Sequence, residues 1–151
     1  MNETLIKNWN ACVRPGDLVY HLGDVGFGQA QHMANIVRRL NGTKRLIIGN
    51  HDHKNLKDPT FSNCFDWAKD YYELNEGEKR YILFHYPIDS WNGKNHNSIH
   101  LFGHKHQKED TYKELKMEVG VDRDIAGYTP ISLDTINSIM ETKKQKMKEN
   151  K

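Results

Sequence analysis

The chain has 151 residues, 36% hydrophobic and 28% charged, with a formal net charge of +2, a length that supports one domain with a sizeable core. Five lysines and one glutamate between Lys143 and Lys151 give a local +4, leaving the rest of the chain at −2. A basic stripe on the folded body, the mark of a nucleic-acid binder, is therefore missing, and no run of about 18 apolar residues is present to cross a membrane.

Leu5, Ile6, Trp9, Cys12 and Val13 recur at helical spacing, and Pro15 with Gly16 ends that helix. Residues 17–22 read as a strand that empties into Gly23 and Asp24. After a loop holding Gly26 and Gly28, residues Ala30, Met33, Ile36, Val37 and Leu40 line one face of a second helix. Asn41 and Gly42 close it as a left-handed C-cap. Residues 44–48 form the next strand, which stops at Gly49, Asn50, His51 and Asp52. Strand, helix and strand over about thirty residues make a βαβ unit with parallel strands. Asp24 and Asn50 are thereby expected at one edge of one sheet.

Residues 53–66 have loop composition, including Asp58-Pro59 and Ser62-Asn63. Residues 67–74 and 79–84 flank Asn75 to Glu78 as the arms of an antiparallel hairpin. The second arm ends at His85, Tyr86 and Pro87, and a loop with Trp91 and Lys94 follows, both able to touch a substrate. A strand over 98–102 ends at Gly103, His104, Lys105 and His106, and a short strand over 117–121 ends at Asp122, read as structural support. Leu133, Ile136, Ile139 and Met140 form the apolar face of a terminal helix. The domain is expected to span 1–142, with 143–151 as a lysine-rich helix end or tail. The start, Met1 to Thr4, has neither the basic nor the apolar part of a signal peptide. Cys12 and Cys64 have no metal-type spacing, as expected of reduced cysteines in a cytoplasmic protein.

Four strands thus finish in metal-competent residues, at Asp24, at Asn50 with His51 and Asp52, at His85, and at His104 with His106. Mixed Asp, Asn and His donors suit Mn²⁺, Fe²⁺, Zn²⁺ or Ni²⁺, with Mn²⁺ expected first; there are no thiolates of a structural zinc site and no oxygen-only calcium shell. Two such ions about 3.5–4 Å apart can hold a phosphate and activate a water. His21 and His100 lie inside strand patterns and are read as packed residues, and His32, His53 and His96 as surface residues.

Residues 20–24 (Tyr-His-Leu-Gly-Asp), 49–52 (Gly-Asn-His-Asp), 85–87 (His-Tyr-Pro) and 103–106 (Gly-His-Lys-His) resemble the ordered motifs of the calcineurin-like metallophosphoesterases. Residues 119–122 (Val-Gly-Val-Asp) and 128–132 (Tyr-Thr-Pro-Ile-Ser) resemble the end of its small bacterial and phage-type members. The resemblance implies an α/β protein, a four-layer α/β/β/α sandwich with a dinuclear site at its strand ends. It implies that Asp24 bridges two metals, that Asn50, His85 and His104 complete one shell, and that His106 serves the other. His51 would contact the phosphate and protonate the leaving oxygen, with Asp52 orienting its imidazole. The implied reaction is hydrolysis of a phosphomonoester or phosphodiester, a nucleotide among the small phosphorylated substrates.

One motif of that family, an Asp-x-His at the end of an N-terminal strand, has no counterpart: none of the eleven aspartates is followed two places later by histidine. One metal position keeps Asp24, Asn50, His85 and His104, whereas the other keeps Asp24 and His106, too few for a tight site. The expectation is one well-held metal, weak hydrolysis, and an exposed sheet edge that a second copy could cover. A late start of the coding frame, a segment supplied by another chain, and true divergence stay open as reasons. The alternative function is a catalytically degenerate member that binds a nucleotide or a protein.

Overall fold

Sequence periodicity turns into two sheets whose strand ends converge. The computed structural model describes residues 2–106, 109–120 and 129–150. Helix α1 (Asn2–Cys12) leads to strand β1 (Leu18–His21), helix α2 (Ala30–Arg38) and strand β2 (Thr43–Ile47). Strands β1 and β2 are parallel, pairing Leu18 with Thr43 and His21 with Leu46, as the βαβ reading requires. Gly42, at φ 95°, makes the turn between α2 and β2.

Residues 53–66 depart from the loop expectation. They hold two short helices, α3 (His53–Leu56) and α4 (Pro59–Ser62). Asp58 caps α4 by accepting the Thr60 N–H, and Pro59 stands at its first turn, where its missing donor costs nothing. The expected first hairpin arm also divides. Strand β3 (Ala68–Lys69) runs parallel to β2, while β4 (Tyr71–Glu76) belongs to the second sheet, the chain crossing over at Asp70. Strands β4 and β5 (Lys79–Phe84) form the hairpin, with Gly77 at φ 61° in its turn. Strands β6 (Ile99–Phe102) and β7 (Lys116–Glu118) extend that sheet in parallel. The sheet orders are β1-β2-β3 and β4-β5-β6-β7. Helix α5 (Leu133–Glu149) starts at Ser132, whose hydroxyl accepts the Thr135 N–H.

The largest apolar cluster joins both sheets and α5. Ile47 from β2 and Leu22 after β1 pack with Tyr81, Leu83, Leu101, Met117, Ile136 and Met140. Alternation in β5 sends Tyr81 and Leu83 to this core. A second cluster, Met33, Val37, Leu46, Phe61 and Phe65, ties α2 and α4 to β2, and a third packs Ile6, Trp9 and Val13 of the α1 region on Leu40. Each fully buried side chain of this kind contributes roughly 1.5–3 kcal/mol before entropy is counted. The protein is a mixed α/β fold, and no helix among the described residues is long and apolar enough to cross a membrane. Strand β1 forms one edge of its sheet, and beside it opens an apolar cavity of about 610 Å³ that reaches from Trp9 and Leu18 to Asp24 and His104.

Candidate metal centre

Each donor follows the end of a different strand, and the four meet in one cluster. After β1 the chain turns through Gly23 (φ 102°) and Asp24 (φ 56°). A Cβ on Gly23 would overlap the His85 ring and stand 2.8 Å from the Gly49 backbone, so glycine is required there. Among the described residues, three of the four non-glycine residues with positive φ are Asp24, His104 and His106, so the left-handed backbone is concentrated where the strands end. The contiguous packing of Gly23 and Gly49 lets the two loops touch and sets the acidic and amide groups side by side.

His85, fully buried, is the hub. Its Nδ1–H donates to the Leu22 carbonyl at 2.6 Å, which in a neutral imidazole leaves the lone pair on Nε2. That Nε2 lies 3.2 Å from Asp24 Oδ2, 3.1 Å from Asn50 Oδ1 and 3.2 Å from His104 Nδ1. Asn50 Oδ1 and His104 Nδ1 are 3.2 Å apart. The ligand atoms of Asp24, His85 and His104 all fall within 4.8 Å of one another, the one such group among the described residues. A carboxylate, an amide oxygen and two imidazole nitrogens thus present lone pairs to a common point. Neighbouring ligands of a divalent ion with bonds of about 2.0–2.2 Å stand roughly 3–3.4 Å apart, the separations seen here. The donor set therefore fits a borderline divalent cation. Burial, the largest cause, lowers the pKa of His104 below the ordinary imidazole value against the opposing pull of the Asp24 carboxylate, which favours its neutral, ligating form.

Asp52 is 1% exposed, and its carboxylate clamps the two loops. Oδ2 accepts the N–H of Gly49 at 2.7 Å and of Asp24 at 2.8 Å, while Oδ1 accepts the Val25 N–H at 3.0 Å. Both of its oxygens are thus engaged by backbone amides, which differs from the expected role of orienting the His51 imidazole. His51 is exposed, donates its own N–H to Asp24 Oδ1 at 2.9 Å, and sets its ring edge against Phe27 at 4.9 Å between centroids. His106 stands outside the donor group, although it lines the cavity with Asp24 and His104.

The remaining sequence candidates lie elsewhere. Both His100 nitrogens are taken by backbone, Nδ1–H donating to Ile82 O and Nε2 accepting from Ile88 N–H. Trp91 is buried against His100, and Lys94 pairs with Glu114 at 2.7 Å and donates to the Asp89 carbonyl, so neither reaches the donors. Asp122 and Tyr128 fall outside the described residues. Sequence reasoning did not single out Phe27 or Tyr86 as neighbours of the site. Tyr86 packs against both His85 and His104, at 4.9 and 4.7 Å between centroids. An aromatic residue beside each polar motif, between Gly26 and Gly28 and directly after His85, was the signal available.

No protein-family model matches the chain. It is 30% identical over 147 residues to the uncharacterized protein MJ1445 of Methanocaldococcus jannaschii, covering 93% of this chain and 76% of that protein. Among solved structures it is similar to the protein of unknown function AQ665 from Aquifex aeolicus, with a TM-score of 0.67 and 26% identity, covering 91% of this chain and 84% of that one.

Proposed function

The chain belongs to the family of the Methanocaldococcus jannaschii protein MJ1445, and from its donor group we propose that it is a divalent-metal-dependent phosphoesterase related to the calcineurin-like enzymes. The observation that carries the reading is the convergence of Asp24, Asn50 and His104 on the lone pair of His85 Nε2. The order of the four motifs, and two sheets sharing one core, support the four-layer sandwich that such enzymes have.

Asp24, Asn50, His85 and His104 would hold the ion. When bound, a divalent ion would neutralise phosphate charge and make a coordinated water acidic enough to act as nucleophile near neutral pH. The rest is done by the chain. The Leu22 carbonyl fixes the His85 ring and its tautomer, as outer partners of metal-binding histidines commonly do. Asp52 fixes the backbones that carry Asp24 and Asn50. His51, exposed beside Asp24 through its own N–H bond, is assigned to hold the phosphate oxygen and hand a proton to the leaving group.

The position of His106 outside the donor group favours one tight metal over two and keeps a second reading in play, a binding module that retains a phosphate and turns it over slowly. Hydrolysis of bis(p-nitrophenyl) phosphate with added Mn²⁺ separates the two. The enzyme reading expects turnover that Asp24→Asn and His51→Ala each abolish. Phosphate binding without turnover would favour the module, and turnover surviving both substitutions would contradict the assigned site.

A further inference from the structure

The second sheet is also polar at the end away from the metal donors. Strand β5 starts at Lys79 and Arg80 and finishes just before His85, so at about 3.3 Å per residue Arg80 lies roughly 16 Å from His85. At this starting end a cavity of about 610 Å³ opens between the turn of the β4–β5 hairpin and the segment leading into β6, with Lys144 of α5 at its side. Three cations, Lys79, Arg80 and Lys144, line it against one carboxylate, Glu78. None of these four lines the apolar cavity beside β1 or belongs to the metal centre.

Arg80 is held in place without being neutralised. Its Nε–H donates to Oδ1 of Asn75, its partner across the hairpin, at 3.1 Å, and this is its one hydrogen bond among the described residues. That tether fixes the guanidinium and leaves its two terminal amino groups as donors. Glu73, whose carboxylate feels the charge of Arg80, has its oxygens engaged by the Tyr71 hydroxyl at 2.6 Å and Asn92 Nδ2 at 3.0 Å. The facing loop is closed on itself: the Gly93 carbonyl accepts the N–H groups of His96 and Ser98, and the Ser98 hydroxyl donates to the Asn92 carbonyl. A Cβ on Gly93 (φ 77°) would stand 3.0 Å from Ser98 Oγ and 3.9 Å from Arg80 Nη1, so the guanidinium lies against this loop. Glu141 pairs with Lys144 at 3.2 Å and with Lys79 at 3.9 Å, but exposed pairs are weak, and both ammonium groups stay available to a ligand.

A planar fork of N–H donors matches the paired oxygens of a phosphate or carboxylate, and ammonium groups beside it add charge without demanding a direction. We propose that this cavity is a second ligand site, separate from the metal centre, that binds the oxyanion group of a small molecule through the Arg80 guanidinium, with Lys79 and Lys144 offsetting its charge. Nothing in this set of residues calls for a metal, so the anion binds whether or not the donor group holds an ion.

The test is titration calorimetry on the full chain at low, fixed ionic strength, kept metal-free by the neutral chelator 1,10-phenanthroline, with inorganic phosphate and succinate as probes. The expected result is one anion bound per chain, weakened roughly tenfold or more by Arg80→Gln. Arg80→Lys, which keeps the charge and loses the fork, should also weaken it. Arg14→Gln removes the same charge from an exposed position outside both cavities and should leave binding unchanged. Lys144→Gln, on α5 and away from the hairpin, should weaken binding with the circular dichroism spectrum unchanged, which keeps the test decisive if Arg80→Gln disturbs the fold. Tighter binding of phosphate would assign the site to a phosphoryl group, and equal or tighter binding of succinate to a carboxylate; both support it. Failure of both probes to bind, equal weakening by Arg80→Gln and Arg14→Gln, or binding unchanged in both Arg80→Gln and Lys144→Gln would overturn the proposal.

Discussion

The carboxylate of Asp52 accepts the backbone N–H of Asp24 at 2.8 Å, a bond that joins the loop after β2 to the loop after β1. The same carboxylate also takes the N–H groups of Gly49 and Val25. The two loops that carry Asp24 and Asn50 are therefore held together by one side chain whose oxygens both accept backbone amides.

Asp52→Ala removes the acceptor of three amide donors in this tightly packed corner. Unsatisfied donors of this kind cost roughly 1–3 kcal/mol each where water cannot reach them. The expected loss of stability is about 3 kcal/mol, read as a lower urea midpoint with an unchanged slope. A change below about 1 kcal/mol would mean that the loops are held together by something else.

Gly49→Ala tests how closely the loops must approach. The added Cβ would overlap Asp24 Oδ1 and stand 2.9 Å from His85 Cε1, so it pushes on two donors at once. Substitutions that displace the supports of metal ligands commonly cost 10–100-fold in affinity, and a loss of about that size is expected for Mn²⁺, with the fold retained by circular dichroism. Unchanged affinity would show that the donors do not need the packing described.

The four donors were readable in the chain because each follows a β-prone run that stops at a glycine or a polar turn. The βαβ pattern then placed Asp24 and Asn50 together without any knowledge of tertiary structure. Three features were not readable. Helices α3 and α4 are four residues each, too short for a 3.6-residue period to show against loop composition. Residues 67–74 read as one arm because alternation alone cannot reveal a chain that leaves one sheet at Lys69 and enters another at Tyr71. The clamp of Asp52 was hidden because its partners are backbone amides, which every residue carries.

The buried His100 sets a pH dependence. Burial lowers its pKa below the usual 6.5, with the bond to the Ile82 carbonyl opposing and Lys116 adding to the effect. The sign follows from which state takes up the proton. At pH above about 6.5 the imidazole is neutral in both folded and unfolded chains, and the contribution of His100 to stability is complete. As pH falls below 6.5 the unfolded chain binds a proton that the folded one resists, so stability is lost until the lowered folded pKa is reached. His100→Asn, which can keep a donor toward Ile82 O, is expected to be less stable at pH 7.5 yet to lose less than the natural protein between pH 7 and 5. Parallel curves for the two proteins would remove His100 as a source of the acid sensitivity.

The central claim is that Asp24, Asn50, His85 and His104 hold one divalent ion. Equilibrium dialysis against Mn²⁺ followed by elemental analysis measures it directly, using the natural chain, Asp24→Asn, His104→Ala and His106→Ala. The account predicts close to one tightly held ion per chain, lost in the first two variants and kept in His106→Ala. Two tightly held ions per chain, or one ion that survives both Asp24→Asn and His104→Ala, would contradict it.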